Sequence, residues 1–125
     1  MKVLELKRRA FRSLEFRLNG RIAAVTLTRE DFAATGCTKS DAEDVIEIPR
    51  SLRGSYIALF FYEAGEKNVT RLSIRTREPL DATQLALQFA GGGHARAAGC
   101  TIHAPLAKAK AQVLALVAKW IRTAP

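Results

Sequence analysis

FAGGGHARAAGC, residues 89–100, sets three consecutive glycines ahead of a histidine and an arginine. Glycine loses more backbone freedom on folding than any other residue, so a run of it in ordered structure needs a use that outweighs the loss. Spacing excludes two phosphate-binding loops. Gly91 and Gly93 are followed by Arg96 where G-x-G-x-x-G needs a third glycine, and G-x-x-x-x-G-K-[ST] occurs nowhere in the chain. The order of elements differs as well, because these glycines follow a helical stretch instead of joining a strand to a helix. Two uses remain. One is a helix C-cap and tight turn, with His94 an ordinary structural residue. The other is a nest, in which successive N–H groups point at one anion and the missing side chains let a phosphate or a base come close. His94 and Arg96 add donors to such a nest, and Ala97, Ala98 and Gly99 keep its wall small. Three glycines followed by H-x-R-A-A-G favour the nest.

Working outward, Asp81 can cap a helix through Phe89, with Gln84 at the capping-box position and Leu85 and Phe89 spaced to share a buried face. After the glycines, residues 100–103 read as strand. Pro105 then opens a last helix with Leu106, Val113, Leu116, Val117 and Trp120 on one side. Before them, GSYIALFFYEAGEKNVTRLSIRT (54–76) reads as a hairpin: a strand from Tyr56 to Tyr62, a turn through Ala64–Asn68, and an alternating strand. Period two sends Val69, Arg71, Ser73 and Arg75 to one face, and Leu72 and Ile74 to the core. RIAAVTL (21–27) is a short apolar run suited to a strand buried on both faces. Thr28 with Asp31, and Ser40 with Glu43, mark two short helix N-termini. The acids Asp41, Glu43, Asp44 and Glu47 suit the first turns of a helix better than a metal cluster. The sum is one α/β domain, a mixed central sheet of about five strands flanked by helices.

The chain has 125 residues, enough for one domain with a core of its own. Its net charge of +8 and pI near 10.1 favour a polyanionic partner. Part of the excess lies in Lys7, Arg8, Arg9, Arg12 and Arg17, which read as a solvated lead-in or as a binding patch. Cys37 and Cys100 stand far apart with no C-x-x-C spacing, so neither a zinc site nor a disulfide framework is indicated. No apolar run approaches the roughly 18 residues of a membrane span, and the basic start lacks the apolar core of a secretory signal. A cytoplasmic chain with no membrane partner is expected.

FAGGGHARAAGC closely resembles the C-terminal signature of the DHH-family phosphoesterases, F-G-G-G-G-H-x-x-A-A-G, and LSIRT resembles their S-x-R-S strand. The stretch from Gly20 to Glu63 is similar to what precedes these motifs in the RecJ-like, nano-RNase and pAp-phosphatase branch. Ala90 stands in place of the first of four glycines, and Thr76 in place of a serine. The resemblance implies the DHH-associated substrate-binding domain over residues 20–125, with 1–19 a linker or the tail of an interdomain helix. It implies that Gly91, Gly92, Gly93 and His94 grip the terminal nucleotide or phosphate of a substrate, with Ser73, Arg75, Thr76 and Arg96 around them. Family members carry a manganese centre in an N-terminal DHH domain. No Asp-His-His motif occurs here, so no catalytic or metal-ligating residue is expected in this chain, and alone it is expected to be inactive. The implied partners are a nucleotide, short oligonucleotide or single-stranded nucleic acid, the DHH domain in cis, and a second copy through the parent protein. The competing expectation is a free-standing, non-catalytic nucleotide- or nucleic-acid-binding module.

Overall fold

The computed structural model describes residues 1–63 and 65–123. The chain runs α1 (Lys2–Arg12), β1 (Glu15–Arg17), β2 (Ile22–Leu27), α2 (Arg29–Thr35), a 3₁₀ helix (Lys39–Ile46), α3 (Glu47–Arg50), β3 (Ile57–Glu63), β4 (Thr70–Thr76), α4 (Ala82–Ala86), a 3₁₀ turn (Leu87–Phe89), β5 (Gly92–His94), β6 (Ala97–Ile102) and α5 (Leu106–Thr123). The six strands form one mixed sheet in the order β1-β2-β3-β4-β6-β5. Only β2 and β3 are parallel; the chain between them crosses over through α2, the 3₁₀ helix and α3. The fold is α/β, a single helix-flanked sheet. Its two three-residue edge strands raise the expected strand number to six.

Hydropathy places each strand. β2 is buried at every position, as its unbroken apolar run requires. β4 alternates, burying Thr70, Leu72, Ile74 and Thr76 while Arg71, Ser73 and Arg75 stay half-buried on the opposite face. The expected turn between β3 and β4 begins at Ala64, which lies outside the described residues; the pairing of Glu63 with Thr70 closes the hairpin around it. On one face, Leu59, Phe61, Leu72 and Ile74 pack against Leu85 of α4 and the α5 stripe Ala109, Val113, Val117 and Ile121. Leu106 and Trp120 pack at the margin of this core, and Leu116 is half-buried. On the other face, Val25, Leu27, Ala58 and Phe60 meet Leu6 and Ala10 of α1 and Val45 and Ile46 of the 3₁₀ helix.

The segment 1–19 packs on the sheet through one face of α1 and through β1. Leu6 and Ala10 are fully buried. Ser13 Oγ accepts from Thr26 N at 2.7 Å, and β1 pairs with β2, its Glu15 bonded to Lys110 of α5 at 2.6 Å. The lead-in cations are largely paired, Arg8 and Arg9 with Glu5, and Arg9 also with Asp31. Thr28 and Asp31 form the expected capping box. The second cap falls two residues before the expected Ser40–Glu43 pair: Asp41 accepts from Thr38 N at 2.8 Å. The patterns T-x-x-D and S-x-x-E overlap at 38–43, and the chain turns at the first. Of the other acids, Asp44 lies 3.9 Å from Lys7 and Glu47 pairs with Arg50.

Because Leu6 is fully enclosed, Leu6→Ala should cost about 2–5 kcal/mol and lower the melting temperature of the whole unit in one transition. An unshifted melt would show that α1 is no part of the core.

Candidate functional site

Directly opposed residues in neighbouring antiparallel strands put their side chains on the same face of the sheet. His94 stands opposite Ala97, Ala97 opposite Arg75, and Arg75 opposite Ala58. The next row is Gly92, Gly99, Ser73 and Phe60, and the one after it Thr101, Arg71 and Tyr62. Over β2 and β3 this face lies beneath the N-terminal helices, but β4, β6 and β5 contribute no residue to that core. There Arg71, Ser73 and Arg75 are half-buried, and Gly92 and His94 are exposed. An open half-sheet results. Its floor is Ala97 and Gly99, bordered by Ser73, Arg75 and His94. Beside Ser73 it sinks into a cleft of about 470 Å³ bordered by Arg71, Gly99, Thr101 and His103.

Ser73, Arg75, Gly92 and His94 therefore share one face of the sheet, with β6 between the β4 pair and the β5 pair. Thr76, Gly91, Gly93 and Arg96 are used differently. Thr76 Oγ1 donates to the Ala95 carbonyl at 2.9 Å, which also accepts from Ala82 N at 2.8 Å. Arg96 donates to the Leu80 carbonyl at 2.7 Å. These bonds fix the tip of the β5–β6 hairpin to β4 and to the start of α4. Asp81 caps that helix; hydrogen bonds from the Thr83 hydroxyl and amide hold its carboxyl below the usual carboxylate range, so the cap is charged at neutral pH.

The glycines do not form a nest. Gly92 and Gly93 begin an edge strand, and of the three only Gly93 has a positive φ, +143°. The requirement for glycine is steric. A Cβ at Gly91 would lie 2.2 Å from the Gly99 carbonyl oxygen and 2.5 Å from Cys100 Cβ; one at Gly93 would lie 2.6 Å from the Ala97 oxygen and Ala98 Cα. Gly92 differs, since a Cβ there meets nothing within 4 Å. The fold explains two glycines by close approach to β6 and leaves Gly92 free on the open face. β5 has a strand on one side only, so its outward backbone groups are open to a ligand. Ala90 ends the preceding 3₁₀ turn at φ +57°, a left-handed conformation that suits the glycine of the motif.

Arg71 and Thr101 were not singled out from sequence as site residues. The signal was present: stepping two residues back from Ser73 reaches Arg71, and its Nε is buried without a hydrogen-bond partner among the described residues. Burial pushes the Cys100 thiol up to about 11, so it stays protonated at neutral pH and supplies no nucleophile. Among the described residues no three His, Cys, Asp or Glu side chains are grouped to hold a metal ion. None of their helices is long and apolar enough to cross a membrane.

A family model, the DHHA1 domain, matches residues 19–123. Over 64 residues the chain is 34% identical to a bifunctional oligoribonuclease and PAP phosphatase NrnA of Thermus thermophilus, an alignment that covers 51% of this chain and 19% of that protein. An exopolyphosphatase-related protein from Bacteroides fragilis superimposes with a TM-score of 0.82 at 24% identity, over 92% of this chain and 33% of that one. A pGpG-specific phosphodiesterase from Vibrio cholerae gives 0.61 at 17% identity, over 91% and 37%. These two show the shared fold, and the chain spans about a third of each.

Gly91→Ala and Gly93→Ala should each lower stability by about 1–3 kcal/mol or more, because the new methyl meets backbone that cannot move aside. In the same thermal melts Gly92→Ala should run close to wild type, and Ala90→Gly should gain about 1 kcal/mol by relieving the left-handed alanine. Equal losses at 91, 92 and 93 would contradict the steric assignment.

Proposed function

Because the chain belongs to the DHHA1 domain family, the DHH-associated module of DHH-family phosphoesterases, we propose that its open half-sheet holds a nucleotide or short oligonucleotide for hydrolysis by a manganese-dependent DHH domain in cis. The observation that carries this reading is the register that lines up Ser73, Arg75, Gly92 and His94 on one uncovered face. The oligoribonuclease and phosphatase activities named for the Thermus relative support the choice of ligand, as does the net charge of +8.

The parts have distinct roles. Arg75 offers a planar guanidinium that matches a phosphate's oxygens through paired, charge-assisted hydrogen bonds. Ser73 adds a hydroxyl one row away. Gly92, Gly99 and Ala97 leave the floor bare, so a sugar-phosphate chain or a flat base can lie against backbone. His94 borders the ligand from the edge strand. Residues grouped to ligate manganese do not occur among those described, so this chain does not fit the metal centre, and its part is to bind and orient. Fixing a phosphoester in one attack geometry is itself a large share of a hydrolase's rate advantage.

Titration with pAp, a dinucleotide and longer single strands tests the reading. Arg75→Ala should weaken binding by about 1.5–3 kcal/mol, with little change in melting temperature, since its only bond within the described residues is to the adjacent Ile74 carbonyl. Gly92→Ala should weaken binding without destabilising the fold. With added manganese, the 125-residue chain should hydrolyse none of these ligands. Wild-type affinity in both variants, or robust manganese-dependent turnover, would overturn the assignment.

A further inference from the structure

α1 buries one side and leaves a second apolar stripe in solvent. Leu6 and Ala10 enter the core, whereas Leu4 and Phe11 are 63% and 61% exposed. With Ile48 of α3 these two form the apolar wall of an open groove of about 610 Å³, whose remaining lining residues are Lys7, Arg8 and Arg12. We propose that this groove docks an acidic amphipathic helix supplied by another protein. The surface is separate from the open half-sheet and stands independently of the nucleotide-binding reading.

Helical geometry arranges the stripe. At about 100° per residue, Leu4 and Phe11 fall within roughly 20° of each other and two turns, about 10 Å, apart. The same rotation sets Lys7 on one flank and Arg8 and Arg12 on the other. Apolar anchors at i and i+7 with charges beside them are the pattern by which one helix receives another, the anchors supplying area and the flanking charges choosing the partner. Exposed apolar side chains that line one concavity under a polar rim mark such a surface, where single scattered ones do not.

Charge identifies the occupant. No carboxylate of the described residues lines the groove. The Arg12 side chain is exposed and makes no hydrogen bond or ion pair with another described residue. Lys7 reaches only Asp44, at 3.9 Å, and the two side chains are 39% and 77% exposed, so a partner carboxylate can replace that contact. Arg8 is held by Glu5 at 2.9 Å and extends the positive rim. A second copy of the chain would bring the same cations against these, on a molecule of net charge +8, and is disfavoured. A lipid surface would meet Leu4 and Phe11 but not Ile48 inside the groove, and two exposed apolar residues bury too little to anchor a helix in a bilayer interface. A helix fits the concavity, and acids beside its apolar stripe meet cations on both flanks. The core under α1 contains Ala58 and Phe60, which stand in rows with Arg75 and Ser73, so the docked protein would lie on the ligand side of the sheet.

The test titrates the 125-residue protein with a synthetic helix of about 20 residues, leucine at the a and d positions of each heptad and glutamate at e and g, and with a control carrying lysine at e and g. The acidic helix should bind at least about tenfold more tightly than the control, and raising salt from about 0.05 to 0.5 M should remove most of that difference. Leu4→Ser/Phe11→Ser and Lys7→Glu/Arg12→Glu should each weaken the acidic helix by about tenfold or more. Both double variants should keep the wild-type melting temperature, because the groove residues they change are not in the core, and should titrate with pAp as wild type does. No binding of the acidic helix, equal binding of the control, or full binding by either variant would overturn the proposal. So would sedimentation showing self-association, or flotation showing capture by phosphatidylserine vesicles, that Leu4→Ser/Phe11→Ser abolishes, since a second copy or a lipid surface would then be the occupant.

Discussion

The Ala95 carbonyl accepts hydrogen bonds from Thr76 Oγ1 and from Ala82 N, and through it a three-residue edge strand is held against β4 and α4. Without that junction β5 would be a short glycine ribbon with one neighbour, and its conformational entropy would outweigh a few ladder bonds. With it, the tip of the hairpin is fixed at one end by Thr76, Ala82 and Arg96 and at the other by the close passage of Gly91 under Gly99. His94 is then held opposite Ala97, one strand from Arg75. The polar groups of the open face owe their spacing to bonds made behind it.

The division of labour among these residues follows from the pleat. In β4, Thr76 falls on the buried side and Arg75 on the open side, so adjacent residues of one motif serve the scaffold and the ligand respectively. The glycines divide the same way. Gly91 and Gly93 turn their missing side chains towards β6, and Gly92 turns its own to solvent. A row of small and polar residues gives a helix nothing to bury, which is why helices cover this face over β2 and β3 and not over β4, β6 and β5.

Much of this was legible in the sequence. The period of two in TRLSIRT assigned Leu72 and Ile74 to the core and Ser73 and Arg75 to the other side, and the run IAAVTL announced a strand buried on both faces. The α/β class, the hairpin and the final helix followed from such patterns. What stayed hidden depends on contacts across the chain. EFR and GGH are too short to show alternation, so neither edge strand was visible, and the glycines suggested an anion-binding nest instead of an approach to β6. Thr76 and Arg96 have the chemistry of ligand contacts; only the positions of Ala95 and Leu80 reveal that the fold already uses them.

Both margins of the sheet, β1 and β5, are three residues long. A strand from another molecule needs a longer run of unpaired amides to register against, and β1 also carries the Glu15–Arg17 ion pair at 2.8 Å. In a crowded solution the molecule therefore offers its neighbours almost no template for edge-to-edge addition. The brevity that leaves β5 open to a small ligand also keeps the sheet from growing into a fibre.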